Sequence, residues 1–242
     1  SGIGLAFAQA YAKKGYRLIL TARRRGRLEK IAANLGVSCR IETADLSKDE
    51  ECYRVCNLLK EETIDIFINN AGFGTCGEFA ETDMTKEIDM IHVNVEAMHI
   101  LCKEVLRHMR AKGHGTILNV ASSAGLLPGG PYMATYYATK AYVVSLTKSI
   151  AQEQREKKSG VYVCALCPGP VDTEFFDHTG KEVASVKKKF RADAKDVVRK
   201  ALIDSARGKK TSVYGLSMKA AWVASKVVPD SVIVAVMEKI AE

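Results

Sequence analysis

Short apolar runs alternate along the chain with longer segments in which apolar residues recur every three or four positions. The longer segments have the period of helices that bury one face. The short runs are rich in β-branched residues and end in turn residues, which predicts buried strands. The predicted strands are RLILTA (17–22), CRIETADL (39–46), IDIFINNAG (64–72), GTILNVAS (115–122), VYVCALC (161–167) and TSVYG (211–215).

This alternation predicts βαβ units, and therefore a parallel sheet covered by helices on both faces. No internal repeat, low-complexity tract or linker interrupts it, so we expect one α/β domain over residues 1–242 with a doubly wound sheet. In such sheets ligands bind beyond the carboxyl ends of the strands. The candidate binding residues therefore lie in the opening turn and at the strand exits: 1–4, Arg23, Asp45, 69–72, Ser122 and 168–173.

The composition fits a folded protein, because 47% of the 242 residues are hydrophobic. The seven cysteines are odd in number and mostly lie in apolar segments, which favours reduced thiols in a cytoplasmic protein. Cys164 and Cys167 lie in one predicted strand and should point to opposite faces. This placement argues against a metal shared between them, and we expect no metal site.

The net charge of +8 permits binding of a phosphorylated cofactor or substrate, an acidic lipid or a nucleic acid. Scattered surface lysines are the simpler explanation, because no nucleic-acid reading motif is present. No uninterrupted apolar run reaches bilayer length and no secretory signal is found. We therefore expect a small-molecule substrate, with neither nucleic acid nor a membrane as a partner.

Two features indicate a dinucleotide. The glycines of SGIG open an amphipathic helix, whose first N–H groups and dipole attract phosphate, although this motif taken alone is more typical of a plain N-terminal turn. The first predicted strand is followed by Arg23, Arg24 and Arg25, without a carboxylate. In a dinucleotide-binding fold this position faces the adenosine ribose, where arginine favours the 2′-phosphate of NADP. We expect Arg23, and then Arg24, to bind that phosphate; a solvated basic helix start is the alternative.

Tyr136 and Lys140 are candidates for acid–base chemistry. Residues four apart lie on one face of a helix, so the two side chains are expected to be neighbours. A nearby ammonium stabilises a phenolate and lowers the pKa of the phenol toward neutrality. Ser122, at a predicted strand exit, can hydrogen-bond a carbonyl oxygen beside the phenol. Asn94 lies within a helical pattern, where asparagine is unfavourable unless its side chain has a task.

These residues together resemble the short-chain dehydrogenase/reductase family over almost the whole chain. The resemblance rests on motifs in the family's order: SGIG (1–4), NNAG (69–72), HVNVEA (92–97), NVASSAG (119–125), YYATK (136–140) and PGPVDT (168–173). It implies a Rossmann-like fold, with Tyr136 as the acid/base and Ser122 orienting the carbonyl. Lys140 would hold the nicotinamide ribose and lower the pKa of Tyr136, and Asn94 would complete a proton relay through water.

The resemblance also implies which residues contact the cofactor. Gly2, Ile3 and Gly4 would border the pyrophosphate, and Asp45 and Leu46 would border the adenine. Asn70, Ala71 and Gly72 would border the adjoining ribose. The nicotinamide would be bordered by Pro168, Gly169, Val171 and Thr173.

Two departures from the family pattern affect these expectations. The family begins with a central strand leading into Thr-Gly-x-x-x-Gly-x-Gly, whereas nothing precedes SGIG here. We therefore expect unpaired edges on the neighbouring strands and an N-terminal piece outside this sequence. The loop before Tyr136 is one residue longer than is common, so counting back from Tyr136 selects Ser123. Counting along the strand selects Ser122, which we prefer because a slipped strand would turn the hydroxyl to the wrong face.

The expected activity is NADP-dependent interconversion of a carbonyl compound and an alcohol. A 3-oxoacyl thioester reductase and a non-catalytic NADP-sensing regulator are the alternatives, and the complete set of catalytic residue types argues against the regulator. The substrate-loop region, about 174–194, contains Lys187, Lys188, Lys189 and Arg191, which favours either an anionic substrate or a solvated lid. His178 is expected to be an exposed loop residue. From the resemblance we also expect a homodimer or homotetramer, formed through the helices that contain Asn94 and Tyr136.

Overall fold

The computed structural model describes residues 2–174 and 191–241, with side chains through residue 239. The strands are β1 Leu18–Ala22, β2 Cys39–Thr43, β3 Ile66–Asn69, β4 Gly115–Val120, β5 Val161–Cys167 and β6 Thr211–Val213. The α-helices are α1 Gly2–Ala12, α2 Arg25–Ala33, α3 Asp49–Glu61, α4 Met84–Ile91, α5 Met98–Lys112, α6 Ala134–Glu156, α7 Ala194–Ala206, α8 Leu216–Ala224 and α9 Asp230–Ala241.

All strand pairs are parallel, as the alternating pattern predicts, and the predicted α/β class is confirmed. β1 pairs with β2, and the other four strands pair in the order β3-β4-β5-β6. Among the residues that the structure describes, β1 and β3 each have a single hydrogen-bonded neighbour.

Helices cover both faces of the sheet, and β5 shows how its side chains divide between them. Cys167 packs into an apolar cluster with side chains of α3, α5 and α6. Cys164 packs into a second cluster, with side chains of α1 and α7. The two cysteines thus lie on opposite faces, as predicted. Within residues 2–174 and 191–241, no group of three or more His, Cys, Asp or Glu side chains could hold a metal ion.

The predicted helical region around Asn94 contains a local change of winding. α4 and α5 are joined by a π-helical segment, His92–Ala97, which places Asn94 inside the protein. A π-helical turn inserts an extra residue into the helix, and such turns are frequent at functional sites. The last predicted helical stretch is divided into α8 and α9, with Pro229 just before α9. None of the helices described is long and apolar enough to cross a membrane.

The end of β4 and the start of α6 position the site. Ser122 caps a 3₁₀ helix, Ser123–Leu126, and its Oγ accepts a hydrogen bond of 3.1 Å from Ala124 N. Ser123 N donates to Pro168 O at 2.7 Å, which ties the exit of β4 to the exit of β5. This hydrogen bond fixes the distance between the segment that follows β4 and the segment that follows β5.

Candidate active site

A cavity of about 1100 Å³ is lined by residues that directly follow β3, β4 and β5, and by the start of α1. The carboxyl ends of parallel strands meet at one edge of a sheet, so the predicted strand-exit residues come together here. Of the predicted site residues, those lining the cavity are Gly2, Ile3, Arg23, Arg24, Asn70, Gly72, Ser122, Tyr136, Lys140, Pro168, Gly169, Val171 and Thr173. Gly4, Asp45, Leu46, Ala71 and Asn94 are not among its lining residues.

Tyr136 lies in the first turn of α6 and faces Ser122 across the cavity floor. Burial raises the pKa of the Tyr136 phenol to about 12, and a hydrogen bond with Ser122 partly opposes this rise. The phenol is therefore fully protonated at neutral pH in the absence of other groups. Ser122, the serine preferred on the sequence, thus contacts Tyr136; Ser123 also lines the cavity, and its backbone N–H donates to Pro168 O.

Lys140 follows Tyr136 by one helical turn and is 5% exposed. Its Nζ donates to Val120 O at 3.1 Å and lies 5.8 Å from the centroid of the Tyr136 ring. Burial lowers the pKa of Lys140 to about 8, because the charged form is penalised away from water. None of the ion pairs found within the described residues includes Lys140.

Asn94 fastens the loop after β3 to α6. Its Oδ1 accepts from Phe73 N at 3.1 Å, while its Nδ2 donates to Phe73 O at 2.9 Å and to Thr139 Oγ1 at 3.1 Å. Thr139 Oγ1 in turn donates to Tyr136 O at 2.8 Å. The side chain of this buried asparagine therefore joins the loop after β3 to α6 by hydrogen bonds.

Glycines at and beside the cavity permit close approaches between chain segments that a side chain would block. A Cβ on Gly72 would lie 2.9 Å from Asn94 Oδ1 and 3.1 Å from Lys140 Nζ. A Cβ on Gly4 would lie 2.9 Å from Asn70 Nδ2. Gly2 has a φ of +52°, and a Cβ there would lie 2.6 Å from Thr173 Cγ2. The start of α1 thus packs directly against the turns that follow β3 and β5.

The arginine-rich segment after β1 forms ion pairs with a residue that sequence reasoning missed. Glu174 accepts hydrogen bonds from Arg24, at 2.8 Å, and from both Nη atoms of Arg27. The hydrogen bonds from Arg27 and Arg24, together with their charges, lower the pKa of the Glu174 carboxyl to about 2. Arg23 also lines the cavity. Burial opposes ionisation of Asp45, but two hydrogen bonds from Ser47 and the charge of Arg23 outweigh it and lower the pKa of that carboxyl.

The position of α8 and α9 along the cavity was not expected from the sequence. We call these two helices the C-terminal helix pair. They contribute Met218, Trp222, Val232, Ile233 and Val236 to the cavity wall. The apolar character of this stretch is evident in the sequence, but its position against the cavity is not.

Most of the predicted substrate-loop region lies outside the described residues, including His178, Lys187, Lys188 and Lys189. Arg191 is described; its guanidinium lies 3.8 Å from the Asp172 carboxylate, and it is not a lining residue of the cavity.

The chain is similar to known proteins in sequence and in fold. The family model described as short chain dehydrogenase matches residues 1–184. Hydroxysteroid dehydrogenase-like protein 1 of Gallus gallus is 31% identical over 221 residues, covering 88% of this chain and 65% of the relative. The 3-oxoacyl-(acyl-carrier-protein) reductase FabG of Rickettsia prowazekii is 32% identical over 178 residues, covering 73% of this chain and 71% of that protein.

Among solved structures, a short-chain dehydrogenase from Sphingobium yanoikuyae in complex with NADPH superimposes with a TM-score of 0.85. It is 31% identical in sequence, and the match covers 93% of this chain and 88% of that one.

Gly125 offers a test of how closely α6 must approach the 3₁₀ helix. A Cβ on Gly125 would lie 2.3 Å from Lys140 O, a backbone atom that can move only with the helix. We expect Gly125→Ala to lower the free energy of unfolding by about 1–3 kcal/mol, measured by urea denaturation. Gly129→Ala is the matched control, since its nearest neighbour, Val234 Cγ2, is 3.5 Å away. Equal losses in the two variants would contradict the packing constraint.

Proposed function

The chain belongs to the short-chain dehydrogenase family, and from this premise we propose that it interconverts a carbonyl compound and an alcohol with NADP as cofactor. The observation that carries this proposal is the arrangement of Tyr136, Ser122 and Lys140 in one cavity. A partly buried phenol is hydrogen-bonded to a serine hydroxyl, and a buried ammonium lies one helical turn away. This arrangement can donate a proton and a hydrogen bond to the same substrate oxygen.

In the reductive direction, Ser122 would donate a hydrogen bond to the carbonyl oxygen and hold it beside the phenol. The reduced nicotinamide, when bound, supplies the hydride that adds to the carbonyl carbon. Tyr136 would give its proton to the oxygen, so the C=O double bond becomes a C–OH single bond and the carbon is reduced by two electrons. The Tyr136 phenol carries its proton before the step, but its raised pKa makes it a weak acid, so nearby positive charge must lower that pKa for the proton to be given up readily.

Lys140 would act on Tyr136 and on the ribose of the cofactor. Its pKa of about 8 leaves the ammonium mostly charged at neutral pH. A positive charge near the phenol stabilises the phenolate that remains after proton donation. In this proposal Asn94 acts by holding the turn at Phe73 against α6, because its side-chain groups are already hydrogen-bonded within the protein. A water relay would therefore use groups other than this side chain.

The cavity suits a dinucleotide at its other end. Gly2 and Ile3, at the first turn of α1, leave N–H groups for the pyrophosphate. Arg23 and Arg24 would take the 2′-phosphate of NADP. The NADPH complex of the Sphingobium yanoikuyae enzyme supports this choice.

Reduction of a 3-oxoacyl thioester is the second candidate activity, because the chain is 32% identical over 178 residues to a reductase with that name. The same three residues would perform the same proton and hydride chemistry. A cofactor-sensing regulator fits less well, since it would need neither Tyr136 nor Lys140. We further propose, from the resemblance alone, a homodimer or homotetramer formed through the helical region that contains Asn94 and through α6, which contains Tyr136.

Removal of the Tyr136 hydroxyl tests the catalytic assignment. We expect Tyr136→Phe to lower kcat for carbonyl reduction about a thousandfold, because the proton donor is lost. Its affinity for NADPH should stay within about threefold of wild type. The change is measured as oxidation of NADPH with a panel of ketones, oxo acids and 3-oxoacyl thioesters.

Tyr142→Phe is the matched control for this variant. Tyr142 lies on the same helix, but its hydroxyl contacts His99 Nδ1 at 2.6 Å and it does not line the cavity. If Tyr136→Phe kept wild-type turnover, or if Tyr142→Phe lost as much, Tyr136 would not be the proton donor.

Cofactor preference tests the role of the arginines. Replacing Arg23 and Arg24 together by alanine should weaken NADPH binding by about 10- to 100-fold, since charge-assisted hydrogen bonds to the phosphate are lost. NADH binding should change little. Glu174→Gln should strengthen NADPH binding, because the carboxylate that engages Arg24 competes with the phosphate. Isothermal titration of each cofactor gives the dissociation constants.

Arg25→Ala is the control, because Arg25 pairs with Glu29 on α2 and does not line the cavity. An equal loss of NADH and NADPH affinity in the double variant would refute a phosphate-specific role.

A further inference from the structure

The cavity is divided by charge into two unlike halves. Arg23, Arg24 and Glu174 lie at the end assigned above to the adenosine ribose, and Lys140 lies beside the Tyr136 ring. The wall formed by the C-terminal helix pair, with Leu126 and Met133, is apolar and carries no charged side chain among the described lining residues. This second half has no role in binding the cofactor in the proposal above.

The C-terminal helix pair and the residue after α8 approach the segments around the cavity at three places. Met218 packs so closely on Gly169 that a Cβ there would lie 2.9 Å from Met218 Cγ. Ser225, directly after α8, places its Oγ 3.3 Å from Leu126 O, although Trp222 O is the nearer acceptor for its proton, at 2.8 Å. Val234 Cγ2 lies 3.5 Å from the position of a Cβ on Gly129. The pair therefore packs against the segments that follow β4 and β5.

Trp222 is the one aromatic side chain that α8 contributes to this apolar half. It lines the cavity and packs on the apolar core, and the Nζ of Lys148 lies 5.5 Å from its ring centroid. The ammonium of Lys226 lies 6.0 Å from the same ring. Trp222 is the single tryptophan of the chain, so its fluorescence reports on this half of the cavity alone.

The size and chemistry of this half define what it can hold. Ligand cavities usually measure roughly 300–1,000 Å³, so about 1100 Å³ leaves room for a large substrate beside the cofactor. A small charged substrate would leave the apolar wall unfilled and would lose hydration without gaining a partner on it. A hydrocarbon body would instead bury its surface against Met218, Trp222 and Val236.

We infer that the substrate is a carbonyl compound or secondary alcohol with an uncharged hydrocarbon body, which lies against the C-terminal helix pair while its oxygen meets Ser122 and Tyr136. This inference rests on the proposed function, since it places the reacting oxygen at those residues. It opposes the anionic substrate that the basic loop suggested, and it assigns substrate selection to α8 and α9.

A ladder of 2-alkanones from 2-butanone to 2-decanone tests the inference. Burying each added methylene should lower KM about three- to fourfold, until the apolar half is filled. An oxo acid of the same length as 2-decanone, with a carboxylate at its far end, should have a KM at least tenfold higher. A bicyclic ketone and a 3-oxoacyl thioester distinguish a ring system from an acyl chain as the source of the hydrocarbon body.

Two matched variants localise the effect. Val236 lines the cavity and is 51% exposed, whereas Val223 is 65% exposed and is not a lining residue. With the ten-carbon ketone, we expect Val236→Ser to raise KM about three- to fivefold; with the four-carbon ketone, KM should stay at its wild-type value. Val223→Ser should leave KM unchanged for both ketones. Equal effects of the two variants would overturn the assignment to this wall.

Titration of the protein with 2-alkanols, followed by Trp222 fluorescence, separates this inference from the proposed function. A saturable response that strengthens with chain length supports the apolar site even if no ketone is reduced. Turnover of ketones with KM independent of chain length, or with the oxo acid preferred, overturns the inference and leaves the proposed function standing. No fluorescence response together with no turnover overturns both.

Discussion

The burial of the Lys140 ammonium is the constraint on which the rest of the site depends. The chain holds this charge with one backbone carbonyl, Val120 O, and within the described part of the molecule no carboxylate is paired with it. To reach that carbonyl, α6 must lie against the end of β4. The approach is possible because Gly125 leaves space for Lys140 O and Gly72 leaves space for Lys140 Nζ. The same approach brings Tyr136 to Ser122.

Burial acts in opposite directions on the two ionisable groups of the site. It raises the pKa of the phenol and lowers that of the ammonium, because it penalises the charged form of each. For the phenol, this shift is away from the pKa that proton exchange at neutral pH would need. The protein alone thus disfavours a phenolate at Tyr136. In the proposed mechanism, the bound cofactor and substrate lower the pKa of this phenol. Asn94 contributes rigidity, since it joins the turn at Phe73 to the helix that carries both groups.

The sequence predicted those features that depend on local pattern. Alternating strands and helices predict a parallel sheet, and a parallel sheet gathers its strand exits, so Gly72, Ser122 and Gly169 were expected to lie near one another. The ion pairs of Glu174 with Arg24 and Arg27 join residues about 150 positions apart, and no periodic pattern encodes such a contact. The position of Trp222 also depends on how α8 packs, because the amphipathic pattern of α8 and α9 is compatible with more than one surface. The role of Asn94 in a proton relay stays a prediction, whereas the hydrogen bonds of its side chain with Phe73 and Thr139 were not predicted, because they join separate segments of the chain.

The most direct test of the account is an ultraviolet titration of the Tyr136 phenolate, taken as the difference between wild type and Tyr136→Phe, with and without NADP⁺. Without cofactor, the account predicts a pKa of about 12, set by burial. With NADP⁺ bound, the positive charge of the nicotinamide stabilises the phenolate, so the pKa should fall by about one to three units. A pKa that is unchanged by NADP⁺ would contradict the claim that Tyr136 is the acid/base of this site.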